Sequence, residues 1–582
     1  MTVEPQTVDT DVLVVGGGLA ALRAALDASA TGATVTVAVK RKLGRCGSSA
    51  VTSGGYAATD PAITPQDSWE RHYADTLTGG GLINDRTLAR ILCQEAGLRL
   101  NDLLRLGAPF VRTNGHYYLS PSGDHSSPRV VTPVNMRGTD MTLPLREAVV
   151  AAGVRVLENT YVLDLLTDDV GVAGALGYDH DRGTLVLIRA KAVVMGTGGA
   201  GRIFTVTSNP VDVVGDGYAL AARAGAPLRD MEMVQFYPWR AIRPFKGSRV
   251  PIQPSTFVIG ARLYNARGER FMERYDPQRK ESTTRDVAAR AIFDQIRQGL
   301  DVDGGVILDL SDVTDDDFRT SNKKVVERLD PRGVNFRDVQ FIIAPEAHFV
   351  MGGMVIDETC RTPVERLYAC GEAAGGVHGA NRLNSNAIPD TQVFGARAGR
   401  LAAEQAQRDE HGRIDDRIVR AWAGRLEAVG GSAGSGSGHE VLEQTREEFQ
   451  QAMSLALGIV RTREGLTRGL AVIETQRERL RGMTPQTGDG FQAAAELAAM
   501  ADAAEAMCHS ALVRTESRGA HYREDFPERD DARWVQTVVV RREAGGRVST
   551  GLHPIDVADD ARYLGAATVT QGLTLIKGEH VE

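Results

Sequence analysis

Val12-Leu13-Val14-Val15-Gly16-Gly17-Gly18-Leu19-Ala20-Ala21 is the stretch that sets the fold. Four apolar residues of the buried parallel-strand kind run directly into three glycines. Leu19, Leu22 and Leu26 then recur at helical spacing, and Thr34 to Val39 is a second β-branched run. Strand, glycine turn, helix and strand make one βαβ unit, so Gly16-x-Gly18-x-x-Ala21 stands where a dinucleotide fingerprint belongs. Glycine permits the tight turn and lets backbone N–H groups approach a diphosphate at the positive end of a helix. A purely structural glycine turn is the competing reading, but it does not require strand, helix and second strand to fall in this order. The acidic residue that usually grips the ribose at the end of the second strand is absent, and Val39-Lys40 stands there.

Two later runs repeat the strand-into-glycine pattern. Lys191 to Met195 leads into Gly196, Gly198 and Gly199, and Leu367 to Ala369 leads into Cys370-Gly371-Glu372. A strand ending in Gly-Glu sets the Glu372 carboxylate where it can accept hydrogen bonds from a sugar-alcohol chain. The bland alternative is a surface acid near a turn. Against it stands the neighbouring run His378 to Asn386, dense in His, Asn, Arg and Gly, with no helical apolar face to account for it. The small, hydroxyl-rich run Gly44 to Gly55 lets backbone pass close to a flat ring, although alone it reads equally as an ordinary loop.

Elsewhere the spacing predicts a helix over 86–106, with Leu88, Ile91, Leu92 and Leu98 on one face, and a strand pair at Val162–Leu166 and Leu185–Ile188. Regularity lapses between about 235 and 345, which suits an inserted domain. Gly430 to Gly438 reads as a flexible linker, 441–515 as two or more long helices, and the last fifty residues as strands such as Trp534 to Val540. At 582 residues the chain has room for two to four domains. A net charge of −8 argues against a nucleic-acid surface. The five cysteines show no metal-ligand spacing, so no metal site is read and free thiols in a reducing compartment are expected. No signal peptide and no run of ~18 apolar residues is seen, so no transmembrane segment is expected. A cytoplasmic protein is expected, with peripheral attachment to the inner face of a membrane through partner subunits left open.

With these motifs in hand, the chain resembles the flavoprotein subunits of succinate dehydrogenase and fumarate reductase and their relative L-aspartate oxidase, as a divergent member. Matching stretches include Asp67-Ser68-Trp69-Glu70, Gly198-Gly199-Ala200-Gly201, Arg270 to Tyr275, Thr284-Arg285-Asp286-Val287, His348 to Gly353, His378 to Leu383, Glu516 to His521 and Asp525-Phe526-Pro527. The resemblance implies an α/β fold: a Rossmann-like FAD-binding domain (1–235 and 350–410), an inserted α+β capping domain (236–349), a C-terminal helical domain (411–530) and a small C-terminal domain (531–582). It implies FAD held by Gly16, Gly18, Leu19, Ala20, Lys40, Ser48, Ser49, Gly54, Gly55, Gly198, Asp216, Glu372, Asn386, Ala387 and Ile388. It also implies a small carboxylate substrate bound by His348 and Arg382, with Arg285 as the proton-transfer group. The partner it implies is a possible iron–sulfur electron-transfer subunit. Guanidinium forks suit carboxylates, whereas arginine as an acid needs a transition state that places negative charge beside it. Each residue also has a plain alternative: Arg285 paired with Asp286 or Glu281 on a solvated helix face, Arg382 as a cap or interface cation, His348 as a core histidine.

Three departures from the family pattern bear on function. Ser48 stands where the respiratory members carry the histidine that links flavin covalently, so noncovalent FAD is expected. Tyr237, in Gln235-Phe236-Tyr237-Pro238, replaces a histidine of the substrate site and retains a hydrogen-bond donor. The glutamate- and glycine-rich segment before Arg270 is replaced by Pro254 to Leu263. There Thr256 or Ser255 is the candidate for the lost hydroxyl, and no residue replaces the glutamate. The leading expectation is hydride transfer between flavin N5 and a carboxylate substrate at a CH–CH or C=C bond. The alternatives are a C–N bond oxidase or dehydrogenase, and an electron-transfer subunit with an altered substrate site.

Overall fold

The structure, a computed structural model, describes residues 5–245, 249–429, 437–483, 485 and 487–564. Strand β1 (Gln6–Val15), helix α1 (Leu19–Ser29) and strand β2 (Val35–Ala38) form the βαβ unit at the centre of a seven-stranded sheet. β1 runs parallel to β2 on one side and to Thr184–Met195 on the other, with Val15 facing Met195. Arg155–Leu157 extends the parallel set beyond β2, and Leu367–Ala369 joins it beside Val193–Met195. Val12, Leu13 and Val14 are wholly buried because helices cover the sheet. α1 lies against Ala387–Ala406 at close range: a Cβ on Gly395 or Gly399 would meet the carbonyl oxygens of Ala20 and Ala24.

The strands expected at 162–166 and 185–188 are present but are not neighbours. Val172–Asp179 lies between them, antiparallel both to Thr160–Thr167 and to the first half of Thr184–Met195. All eight residues of this middle strand are buried, so it has no polar alternation, and two glycines further weaken its strand signal. In the helix Arg86–Arg105, Leu88 and Leu92 are buried, but Leu98 is 52% exposed. The core stripe continues through Ala96, Leu100 and Leu103 instead, at the three- and four-residue steps of one helical face.

A five-stranded antiparallel sheet forms a lid over the carboxyl ends of the parallel strands. Its order is Val250–Pro251, Val234–Arg243, Phe341–Val350, Val306–Asp309, Arg262–Tyr264. It has its own core, including Trp239, Phe257, Leu263, Phe271 and Phe341. Val234 pairs with Val350, so the lid leaves and returns on facing residues. Helices Ser437–Ala456, Arg463–Arg481 and Gly488–Val513 pack together after it. The linker read at Gly430–Gly438 falls largely on 430–436, outside the described residues, and the first of these helices begins at Ser437. Gln536–Arg542 pairs with Val548–Pro554 and with Leu228–Arg229, which places the C-terminal strands at the foot of the lid. Among the described residues, no helix is long and apolar enough to cross a membrane.

Candidate active site

Parallel strands deliver their carboxyl ends to one edge, and a cavity of about 530 Å³ opens there, between that edge and the lid. Gly16 has φ +127°, and a Cβ on it would stand 2.3 Å from the Gly196 carbonyl oxygen, so glycine is required where the two turns meet. Gly18 and Ala20 line the cavity at the start of α1, where the helix end is positive. The Leu19 N–H donates to Ser49 Oγ at 3.1 Å, tying the hydroxyl-rich loop to that helix end. Gly54, Gly55 and Gly198 complete the backbone surface.

Lys40 and Asp216 form a couple in the wall, with Nζ 2.6 Å from the carboxylate and 2.9 Å from the Asp212 carbonyl oxygen. Burial works against the Lys40 charge, but Asp216 and Glu496 outweigh it and raise its pKa. Ser48 Oγ donates to Asn209 Oδ1 at 3.3 Å. Glu372 accepts the Val350 N–H at 3.0 Å, and burial pushes its carboxyl up to about 7. Such a group can exchange hydrogen bonds of either sense with a polyol. Ala387 and Ile388 bring the amino end of their helix to the cavity, and no side chain caps that end.

All the expected cofactor residues line this cavity except Asn386. Its amide is turned away, donating to Thr76 Oγ1 at 3.1 Å and meeting His72 Nε2 at 2.9 Å. Asn386 therefore secures the helix end from behind.

Tyr237, Arg285, His348 and Arg382 line the same cavity. Gln235, fully buried, joins the two arginines: its Oε1 accepts Arg285 Nη1 at 3.1 Å and Arg382 Nη2 at 2.9 Å. Its own amide nitrogen donates to Asn381 Oδ1 and to the Arg382 carbonyl oxygen, each at 2.8 Å, which fixes the orientation. Arg285 Nη2 also donates to Asn384 Oδ1 at 2.7 Å. Glu281 is engaged by Arg270, so the solvated pairing of Arg285 with Glu281 does not form. Burial lowers the pKa of both guanidiniums, and the nearness of Arg285 adds to the effect on Arg382, which falls to about 9. The Nε atoms of both are buried without a hydrogen-bond partner among the described residues. Two crowded cations with unused donors have the chemistry to take an anion.

His348 Nδ1 lies 2.7 Å from Ser208 Oγ. Burial, then Arg285 and Arg382, hold the imidazole well below its ordinary pKa, so it is neutral near pH 7. The Tyr237 hydroxyl is not available to a ligand as a donor: it donates to the Ile252 carbonyl oxygen at 2.6 Å. Its ring instead lies 5.1 Å from the Arg285 guanidinium carbon, a cation–π contact. Thr256 and Ser255 do not supply the lost hydroxyl. Both are buried away from the cavity, and Thr256 Oγ1 accepts from Asn322; Pro254 is the lining residue of that segment, with Gln253 just before it. Farther out, Arg137, Arg240, Arg249 and Lys324 line the wall with Glu327, giving the mouth a cationic balance.

Sequence reading missed Gln235, Asn384 and Ser208. Gln235 carried a signal, a polar residue between Val234 and Phe236 in a strand, and Asn384 stood within the polar run His378 to Asn386. Ser208 carried none, since its partner His348 is distant in the chain.

The family described as FAD binding domain matches residues 11–388, and that described as fumarate reductase flavoprotein C-term matches 446–561. A fumarate reductase (CoM/CoB) chain of Methanothermobacter marburgensis is 38% identical over 547 residues, 93% of this chain and 98% of that one. L-Aspartate oxidase of Caulobacter vibrioides is 36% identical, covering 89% of this chain and 94% of its own. The solved E. coli quinol fumarate reductase superposes with a TM-score of 0.85 at 29% identity, covering 94% and 97% of the two chains.

Proposed function

The chain belongs to the succinate dehydrogenase and fumarate reductase flavoprotein family, an FAD-dependent oxidoreductase, and from that premise we propose that it reduces or forms the C=C bond beside a small carboxylate. One observation carries this reading: two guanidiniums joined by Gln235, with the neutral imidazole of His348, face the same cavity as the glycine cradle.

The cradle suits FAD. Gly16, Gly18 and Ala20 would hold the diphosphate at the start of α1, Glu372 the polyol chain, and Ala387 and Ile388 the flavin at their helix end. When bound, FAD supplies the hydride donor and acceptor, flavin N5. Arg382 and His348 would bind and orient the substrate carboxylate. Arg285, desolvated so that its pKa falls, would give or take the proton at the neighbouring carbon. The lid over these groups would limit water and so strengthen their charge interactions.

FAD is held noncovalently in this reading, because Ser48 offers a hydroxyl where a covalent link would need an imidazole. An iron–sulfur partner subunit would carry electrons in this reading, which is supported by relatives that are themselves named as subunits of fumarate reductase and succinate dehydrogenase.

Anaerobic stopped-flow tests the reaction. Fumarate, mesaconate or crotonate should reoxidise the reduced enzyme. Flavin reduction by amino acids, with no response to the enoates, would replace this reading with C–N oxidation.

A further inference from the structure

Arg285 lines two cavities. Besides the large chamber it borders a separate pocket of about 10 Å³ with Ser122, Asp124, Ser282, Thr283 and Asn384. That is room for about one water molecule, with these polar groups in reach and Trp239 and Pro254 completing the lining. Asp124 is the only acid lining this pocket among the described residues, and it is the carboxylate whose field acts on Arg285.

The pocket is built to hold Asp124 and Arg285 at a fixed separation. Asn384 takes both ends: its side-chain oxygen accepts Arg285 Nη2 at 2.7 Å, and its backbone N–H donates to Asp124 Oδ2 at 2.6 Å. The Asn384 carbonyl oxygen meets His125 Nε2 at 2.8 Å, which locks the loop that carries Asp124. Ser122 Oγ donates to the other oxygen of Asp124. Gly123 makes the approach possible, since a Cβ there would stand 2.3 Å from the Ser282 carbonyl oxygen.

A buried arginine that gives its proton to a substrate carbon must regain one. Bound substrate and flavin would fill the large chamber, so the supply would come from the other side. We propose that Asp124 returns the proton to Arg285 through one water in the small pocket. The proposal rests on the reading of Arg285 as proton donor. Its balance is simple. Asp124 first takes a proton from solvent, past Ser122 and the exposed Gly123. The substrate carbon then takes a proton from an Arg285 nitrogen, Arg285 takes one from the water, the water takes the one held on Asp124, and the carboxylate is restored with no electrons moving along this path. Burial alone would raise the Asp124 carboxyl, but His125, Arg285 and the hydrogen bonds from Ser122 and Asn384 bring it below its ordinary range. It rests ionised and carries the proton in transit. Asp124 acts through Arg285 and is a positioning residue.

The test is Asp124→Asn in the FAD-loaded protein, with reduced methyl viologen as electron donor and the panel of fumarate, mesaconate and crotonate. We expect kcat to fall about 100-fold or more, with a larger solvent deuterium isotope effect. KM should stay within about twofold, and Asp124→Glu should restore at least about a tenth of the rate. An Asp124→Asn enzyme with unchanged kcat and isotope effect overturns the proposal, as does a loss shared equally by kcat and KM. If Asp124→Asn fails to retain FAD, Ser122→Ala decides: a slower kcat with a raised isotope effect supports the path, and wild-type values overturn it. A wild-type protein that reduces none of the three enoates removes the functional reading, and this proposal with it. Wild-type turnover alongside an indifferent Asp124→Asn removes the proposal alone.

Discussion

Arg285 and Arg382 donate to one and the same oxygen, Oε1 of Gln235, although one arginine rides on the lid and the other on the nucleotide-binding body. The shared acceptor holds two like charges side by side in the cavity wall. Replacing Gln235 with Leu should leave them unbridged. Hydrogen bonds to charged groups are worth about 1.5–3 kcal/mol, so substrate KM should rise roughly tenfold to a hundredfold while FAD content holds. Steady-state kinetics with flavin quantitation checks this, and an unchanged KM would remove Gln235 from the site.

Tyr237→Phe should behave quite differently. The hydroxyl is buried and committed to the Ile252 carbonyl oxygen, so its loss should cost about 1 kcal/mol of stability. KM should barely move, because the ring face against Arg285 remains. A denaturant melt and a KM measurement separate the two effects. A large rise in KM would mean that the hydroxyl turns to the ligand.

Glu372 predicts a pH slope. Its folded carboxyl sits at about 7 against an ordinary 4.5, so the fold favours the protonated form. That stabilisation is complete below the ordinary value and is lost as pH climbs to about 7. The Tm of FAD-free protein should therefore fall between pH 5 and pH 7.5, and Glu372→Gln should flatten the decline. A slope that survives in Glu372→Gln would place its origin elsewhere.

Ser48 predicts the fate of the pigment. Acid precipitation of the holoprotein should leave a colourless pellet and a yellow supernatant. A yellow pellet would show a covalent flavin and a linking residue other than imidazole at this position.

The nucleotide half was readable because its signals are local. Val12–Gly18, Lys191–Gly199 and Leu367–Glu372 each announce a strand feeding a glycine turn, and those three strands do lie side by side. The strand Val172–Asp179 escaped notice because burial on both faces erases alternation. In the candidate substrate site the resemblance singled out Arg285, His348 and Arg382, and these line one cavity. What Tyr237 does with its hydroxyl was not legible, because the partner, the Ile252 carbonyl, is a backbone group that every residue possesses. Asp124 was silent for a similar reason: its contact with Arg285 spans 161 positions of chain and passes through Asn384.

The pairing of Val234 with Val350 has a consequence for how this protein can change. A hundred-odd residues of roof are attached at a single doorway, with both jambs on adjacent strands. Rebuilding that roof alters what is admitted while the floor that grips the coenzyme keeps its shape. Substrate selection and coenzyme binding are thus separable inheritances within one polypeptide.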